Sequence, residues 1–422
     1  MNSKIFAVAA AVVLFGAIPH AQAGWELWET DESAGRLGAN LQMMSAYVDL
    51  GGLSEVADVA GFPTEAGLAG AVGRLEWSAE FSDWLTLDVH NRLVWQSSTL
   101  PEELLFQGFE VSRGDDRRFS TEYDLLENDT LRLTHDLDRL VVGLYFDLFD
   151  VYLGRQAIRW GVSEMFTVAD RFAPLSPFEL DTLQRRGIDA ARVVSHITPD
   201  VEVEMVVADR GEDEPLTIAG RAEYFGVNFD AYGGFGRFWN RLSAMGGVSY
   251  LSGYWKFYGE GEALFNLDES ELDRPRATAG AQRVAADWVI GLEYHYNGFG
   301  VNPGDDYAQA FGSDELARGE TYFLGRHYAG LNGGYFHESG WGFAGGAILN
   351  VVDPGVVIFP SVQYEVEDRF SVSAGAYVGF GESAELDLSG AQPDAEFEDV
   401  ISIPSEFGAA SDLYFLQMTA FF

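Results

Sequence analysis

Apolar and polar residues alternate in segments of about ten residues along most of this chain. The clearest segments are 71–81, 85–96, 201–207 and 371–380, in which nearly every second residue is apolar or glycine. A period of two places successive side chains on opposite faces of a β-strand. The pattern therefore predicts an all-β protein whose strands have one apolar and one polar face.

The connections between these segments alternate between short and long. Short connections are predicted at 82–83, 147–150, 198–200, 226–228, 252–253, 285–287, 338–340 and 367–368. Long ones are predicted at 50–69, 97–129, 159–187, 209–216, 236–242, 267–274, 298–320, 352–355 and 382–410. Aromatic residues flank the short connections, as Phe81 and Trp84 do. This arrangement is typical of transmembrane β-barrels, whereas a soluble β-sandwich has no reason to place aromatic residues at one set of turns.

Counting the segments predicts a transmembrane antiparallel up-and-down β-barrel of about 18 strands, with short periplasmic turns and long extracellular loops. The predicted strands are 37–49, 70–81, 84–96, 130–147, 150–158, 188–198, 200–208, 217–226, 227–235, 243–252, 254–266, 275–285, 287–297, 321–337, 341–351, 356–366, 369–381 and 411–422. Glycine-rich sequence over 217–252 blurs the turns, so about 16 strands is the alternative. Pro360 inside a predicted strand indicates a bulge.

The N-terminal residues 1–23 predict a secretory signal peptide. Lys4 precedes an apolar run over 5–18, and Ala21-Gln22-Ala23 forms a small-x-small cleavage site. Residues 24–36 are interpreted as a short periplasmic lead and residues 37–422 as the barrel. After the signal, no run of about 18 apolar residues predicts a transmembrane helix.

The segment 413–422, LYFLQMTAFF, has an uninterrupted apolar face made by every second residue. As an ordinary edge strand it would leave this face and its backbone groups exposed, whereas in a closed barrel it pairs with the first strand. It resembles the terminal sorting strand of Gram-negative outer-membrane β-barrels. The resemblance implies the bacterial outer membrane as location, lipid and lipopolysaccharide as surroundings, and the barrel-assembly machinery as a partner.

The composition excludes several other classes of protein. The net charge is −40, with 66 acidic against 26 basic residues, which leaves no basic footprint for nucleic acid. Cysteine is absent, so disulfides and thiolate sites are excluded. Aromatic residues make up 14% of the chain, which argues against acidic disorder.

A barrel of this size encloses an aqueous lumen, so the inward-facing charged residues are candidates for pore lining. By alternation they are Arg74, Glu76, Glu80, Asp88, His90, Arg92, Glu202, Glu204, Lys256, Glu260, Glu262, Glu293, His295 and Asn297. This set is mainly acidic, which favours cations. Any one of these residues can also be a solvated lumen side chain without a special role.

The loop 159–187 concentrates arginine in an acidic protein and is too long for a simple turn. Its charged residues are Arg159, Glu164, Asp170, Arg171, Glu179, Asp181, Arg185 and Arg186. One hypothesis is that the loop folds into the lumen and narrows the pore; the alternative is an extracellular cap. Arg155, just before it, falls on the lipid-facing side by strict alternation, and a bulge at Gly154 or a position at the rim would resolve this.

Catalytic and metal-binding motifs do not occur. The seven histidines are scattered, without HExxH or Gly-x-Ser-x-Gly, and Ser195 and His196 point to opposite faces of one strand. We therefore expect no enzyme activity, no cofactor and no dedicated metal site. Asp305-Asp306 could touch a divalent cation, although an exposed acidic turn is the simpler interpretation.

The run from Gly154-Arg155-Gln156 to Trp160-Gly161, and the segment 293–300, resemble segments of porin-like outer-membrane families, including alginate-export-type barrels. The resemblance implies a passive channel or exporter and names no substrate. The expected function is passive diffusion of small hydrophilic solutes with a cation preference. A non-conducting structural or adhesive barrel, and a polymer-export barrel, are the alternatives.

Overall fold

The computed structural model describes residues 24–30, 32–61, 63–99, 117–128, 130–181, 183–212, 214–302, 307–311, 313–386 and 401–422. The predicted signal peptide and the pair Asp305-Asp306 lie outside these ranges.

The described residues form antiparallel strands with a few short helices. The strands are β1 (Gly24–Glu29), β2 (Ala34–Asp49), β3 (Glu65–Ser82), β4 (Leu85–Ser98), β5 (Tyr123–Asn128), β6 (Leu131–Tyr145), β7 (Asp150–Gln156), β8 (Ile188–Thr198), β9 (Val201–Asp209), β10 (Thr217–Phe225), β11 (Phe229–Phe238), β12 (Arg241–Ser252), β13 (Trp255–Asn266), β14 (Glu271–Leu272), β15 (Arg276–Val284), β16 (Trp288–Tyr296), β17 (His327–Phe336), β18 (Trp341–Asn350), β19 (Val356–Ile358), β20 (Ser361–Val366), β21 (Phe370–Phe380), β22 (Glu385–Leu386), β23 (Ile401–Ser402) and β24 (Asp412–Phe421). The α-helices are Ser54–Ala60, Tyr307–Phe311 and Asp314–Ala317, and the 3₁₀ turns are Gly51–Leu53 and Glu367–Arg369. No described helix is long and apolar enough to span a membrane.

Eighteen strands close into one barrel. Closure is made by β2 and β24, which pair from Asn40 with Phe421 to Asp49 with Asp412. β19 and β20 are two halves of one barrel strand, interrupted at Phe359-Pro360 as the proline requires. Outside the eighteen are β1, β5 and β14, which extend the sheet at its rims, and the separate pair β22–β23. The prediction of about 18 strands is confirmed, and the alternative of about 16 is wrong.

Two predicted boundaries differ from the structure. Residues 24–36 contain a strand: β1 folds back on the start of β2, pairing Gly24 with Gly38 and Glu29 with Ala34. The Trp28 ring covers Gly35, where a Cβ atom would lie 2.2 Å from it, so the ring can occupy this place only over a glycine. The first barrel strand therefore begins at Ala34 and not at residue 37, and the strand predicted over 321–337 begins at His327.

The outer surface of the barrel is apolar. Along β2 and β24, Leu41, Met43, Leu416 and Met418 are exposed, while the alternate side chains face inward. Exposed aromatic residues also flank the short turns, as Phe146 and Phe149 do between β6 and β7. An apolar belt on a sheet without free edges is the arrangement that a bilayer stabilises.

Candidate functional site

The connection between β7 and β8, residues 157–187, lies against the inner faces of several barrel strands and is called here the lumen segment. Glu260 on β13 accepts a hydrogen bond from Val162 N at 2.7 Å, and Gln417 on β24 donates to Leu180 O at 3.2 Å. Arg74 on β3 forms an ion pair with Asp181. Counted around the eighteen-strand barrel, β3 is the second strand and β13 the eleventh, so these two lie opposite each other.

Two inward-facing carboxylates bind the backbone of the lumen segment. Glu293 accepts hydrogen bonds from the N–H groups of Glu164 at 2.8 Å, Met165 at 3.0 Å and Phe166 at 2.9 Å. Glu260 accepts from Val162 at 2.7 Å, Val168 at 2.6 Å and Ala169 at 3.3 Å. The segment is irregular here, so these N–H groups gain from the two carboxylates the partners that regular structure would otherwise supply.

Each carboxylate also accepts a tyrosine hydroxyl from the barrel wall. Tyr232 donates to Glu260 at 3.1 Å, and Tyr258 donates to Glu293 at 2.6 Å. Both carboxylates are thus buried with their acceptor capacity used, which compensates the cost of removing them from water.

Arg171 is the most buried cation of the lumen segment. Its guanidinium lies 3.0 Å from Glu262 on β13 and also pairs with Glu320, with the three side chains at most 1% exposed. Arg276 on β15 approaches the same Glu262 at 3.3 Å. Because a buried charge is costly alone, these residues depend on one another.

The second half of the segment contacts the opposite wall through side chains. Asp181 pairs with Arg74, and Gln184 hydrogen-bonds Glu76, which also accepts from Asn40 at 3.1 Å. Arg185 pairs with Asp170 inside the segment. Burial raises the pKa of the Asp170 carboxyl to about 6, against the opposing effect of the Arg185 charge.

The remaining candidate residues occupy varied environments on the inner face and in the segment. Glu204 bridges Arg192 at 2.7 Å and Arg221 at 2.8 Å, and Glu202 lies 3.3 Å from His196. Arg92 is buried and pairs in register with Arg74, and Asp88 on the same strand is half-buried. His295 is also buried: its Nδ1 lies 2.9 Å from Thr278 Oγ1, and its ring stacks on Phe166. Glu164 pairs with Lys256, Arg186 lies 3.5 Å from Glu122, Arg159 is exposed, and Glu179 is half-buried. Their part in permeation stays a prediction.

Strict alternation would place Arg155 on the lipid-facing side of β7, and the structure shows why it does not lie there. Gly154 has φ of 112°, and Arg155 and Gln156 after it are both buried. The left-handed backbone at Gly154 interrupts the alternation, and Arg155 pairs with Asp189 at 2.9 Å instead of facing lipid.

The tyrosine donors were not among the predicted site residues. Tyr232 and Tyr258 lie on strands in which apolar and polar residues alternate, and an inward-facing tyrosine on such a strand gives no signal of its own. Their role as donors becomes visible only from the register with the neighbouring strands. Within the described ranges, no group of three or more His, Asp or Glu side chains is placed to hold a metal ion.

The fold is similar to solved outer-membrane porins. OccK8 (OprE) of Pseudomonas aeruginosa superposes with a TM-score of 0.55 at 9% identity, covering 92% of this chain and 98% of that one. OpdK of the same organism, solved with vanillate, gives 0.51 at 10% identity over 92% and 98%. OccAB1 of Acinetobacter baumannii gives 0.51 at 12% identity over 96% and 98%.

No family model matches the sequence, and a search of curated proteins finds no match. At such low identity the structural likeness shows the fold. The chain therefore has the fold of outer-membrane porins, a closed 18-strand β-barrel, and its apolar outer belt is the surface that such a barrel presents to lipid.

Proposed function

We propose that this protein is an outer-membrane channel for passive diffusion of small hydrophilic solutes, and that the lumen segment narrows its passage. The observation that supports this is that the segment bonds to β13 on one side and to β3 on the opposite side. A chain held between opposite walls reduces the cross-section that is left for solutes. Assembly through the C-terminal strand 413–422 and the barrel-assembly machinery belongs to the same proposal.

We further propose a moderate cation preference. The support is the net charge of −40, which concentrates cations at the mouths of the barrel. The wall carboxylates support it less than their number suggests. Glu260, Glu262 and Glu293 already accept hydrogen bonds from the lumen segment, so few of their lone pairs are free to bind a passing ion.

Single-channel recording of the refolded protein in a planar bilayer tests the proposal. Steady conductance and a cation-selective reversal potential in a KCl gradient are expected. The double variant Arg185→Ala/Arg186→Ala should shift the reversal potential towards that of K⁺, which means a stronger cation selectivity, because it removes two positive charges from the segment. Folded protein that does not conduct would overturn the channel proposal and favour a non-conducting structural or adhesive barrel.

A second candidate function, passage of small aromatic carboxylates, rests on one observation. Arg74 and Arg92 are direct cross-strand neighbours on the inner face of β3 and β4. Nε and Nη1 of Arg74 have no hydrogen-bond partner within the described residues. The structure of OpdK with vanillate shows that a barrel of this fold accommodates such a compound.

Uptake of vanillate into proteoliposomes distinguishes the two candidates. The carboxylate candidate predicts saturable uptake that Arg74→Gln lowers. Uptake that is slow, unsaturable and equal in both proteins would reject it and leave general diffusion.

A further inference from the structure

The two carboxylates that bind the lumen segment belong to the same three-residue arrangement, which occurs twice on the wall. Tyr232, Gly247 and Glu260 lie side by side on β11, β12 and β13, since Tyr232 pairs with Gly247 and Gly247 with Glu260. Tyr258, Gly280 and Glu293 lie in the same way on β13, β15 and β16. Each row is a tyrosine, a glycine and a glutamate on consecutive strands of the barrel.

Glycine in the middle of each row is required by the tyrosine. A Cβ atom at Gly247 would lie 2.5 Å from Tyr232 Cε1, and one at Gly280 would lie 2.6 Å from Tyr258 Cζ. Both distances are too short for real atoms. Each tyrosine therefore crosses flat over the glycine and reaches the glutamate on the next strand but one, at 3.1 Å in the first row and 2.6 Å in the second.

The two rows present their carboxylates to one irregular stretch of backbone, where the N–H groups bound by Glu260 flank those bound by Glu293. Glu260 accepts N–H groups of Val162, Val168 and Ala169, and Glu293 accepts those of Glu164, Met165 and Phe166. Between them they bind six N–H groups within residues 162–169. Next to the second row, Gly330 leaves room for Met165 and Phe166, where a Cβ atom would lie 2.3 Å from Met165 Sδ.

We infer that the twin Tyr–Gly–Glu rows are the anchor that holds residues 162–169 inside the barrel, with Glu260 and Glu293 as positioning residues. The tyrosine hydroxyl orients each carboxylate so that its oxygens face the segment, and the fixed carboxylates replace the backbone partners that the segment lacks. The inference rests on the proposed function for its consequence, a narrowed passage. The anchoring itself can be tested without conductance.

Absence of cysteine from the chain makes a direct test possible. Ser163 is 1% exposed and lies between Val162, which Glu260 binds, and Glu164, which Glu293 binds, so Ser163→Cys provides a single, nearly isosteric thiol within the anchored stretch. Its rate of reaction with a water-soluble maleimide in the detergent-solubilised, heat-modifiable barrel reports whether the segment is docked. Ser163→Cys alone should react slowly.

In the background of Glu260→Gln/Glu293→Gln the labelling rate should rise about tenfold or more, because each amide keeps only one neutral acceptor oxygen and its NH2 group, a donor, faces the remaining anchored N–H groups. Glu223→Gln is the matched control. It also removes an inward-facing carboxylate from the wall, but its charge is paired with Arg221 on its own strand at 3.0 Å, and its labelling rate should equal that of the parent.

Gly280→Ala provides a second route to the same result without touching a carboxylate. The added methyl group displaces the Tyr258 ring and should raise the labelling rate in a barrel that still folds. Unchanged labelling in folded Glu260→Gln/Glu293→Gln and in Gly280→Ala would overturn the anchor. Faster labelling with unchanged conductance would keep the anchor and reject narrowing by the segment.

Discussion

The two walls that the lumen segment contacts hold it by different chemistry. On β13 and β16, glutamates of the wall accept backbone N–H groups of the segment. On β3, an arginine of the wall pairs with the side chain of Asp181. The first contact depends on the wall residues and the path of the backbone, and the second depends on the identity of both side chains.

The difference indicates where the sequence can change without moving the segment. Over 162–169, the hydrogen bonds to the wall do not depend on the identity of the side chains, so the sequence can change there within the size limits set by the buried packing of Met165 and Phe166, as long as the wall carboxylates and their tyrosines stay. Over 181–186, a change in the segment acts directly on its contact with the wall. Ion pairs such as that of Arg171 with Glu262 are a third kind of contact: they join the segment to the β13 wall, but they depend on the identity of the side chains.

The largest expected effect comes from Arg171→Met. The change leaves Glu262 and Glu320 buried without this cation and should lower the free energy of unfolding by about 3–5 kcal/mol. The midpoint of urea unfolding in detergent, followed by the loss of heat-modifiable mobility on gels, measures it. The double variant Arg171→Met/Glu262→Gln should recover part of the loss, and an unchanged midpoint in Arg171→Met would contradict the account.

A smaller effect is expected from Asp181→Asn on the β3 wall. Arg74 then keeps its charge without a counterion, which should cost about 1–3 kcal/mol and shift the KCl reversal potential towards anions. In Arg74→Gln/Asp181→Asn the charge is removed as well, and the selectivity should return towards that of the parent. Equal reversal potentials in parent and Asp181→Asn would show that this pair does not face the permeation path.

Acidification weakens one pair within the segment. Burial raises the pKa of Asp170 to about 6, so the carboxyl binds its proton more tightly in the folded than in the unfolded chain. The contribution of this group to the free energy of unfolding is therefore greatest at low pH and falls as the pH rises towards 6. The negative charge on Asp170 that pairs with Arg185 is present mainly above that pH. Selectivity should become more anionic between pH 7 and 5, and Asp170→Asn should abolish the change; a change that persists in Asp170→Asn would assign it to another group.

The smallest effect is expected from Glu164→Gln. The backbone N–H of this residue still donates to Glu293, and only the pair with Lys256 is lost, in which Glu164 is buried and the Lys256 side chain is 18% exposed and can be partly solvated. We expect a loss of about 1 kcal/mol in the same urea measurement, because the change removes one side-chain contact and leaves the Lys256 ammonium access to water. A loss as large as that of Arg171→Met would show that the side chains of 162–169, and not their backbone, hold the segment.

The sequence predicts the barrel far better than it predicts the lumen. A period of two and the alternation of short and long connections are local signals, and they recur along the whole barrel of eighteen strands. An error in one boundary, such as residue 37 instead of Ala34 for the start of β2, therefore does not change the predicted fold. Pro360 was expected to mark a bulge, whereas the structure interrupts the strand at this position and keeps the register with β18 and β21 on both sides of the break. The hairpin at Gly24–Glu29 was missed because these residues show no clean apolar-polar alternation, and their pairing with β2 is visible only in the register.

The lumen contacts could not be predicted because they join residues far apart in sequence. Alternation places Glu260 and Glu293 on the inner face, but it does not say that backbone N–H groups about a hundred residues earlier occupy them. The Tyr–Gly–Glu rows become visible only when the register of three strands is known. The predicted cation preference relied on wall carboxylates that are already hydrogen-bonded, which is why it now rests on the net charge.

Single-channel conductance of Glu260→Gln/Glu293→Gln beside Glu223→Gln tests the central claim most directly. If the anchored segment narrows the channel, the double variant should conduct more than the parent, with larger fluctuations, while Glu223→Gln keeps the parental conductance. Equal conductance of all three proteins, with the segment of the double variant shown to be released by thiol labelling, would contradict the account.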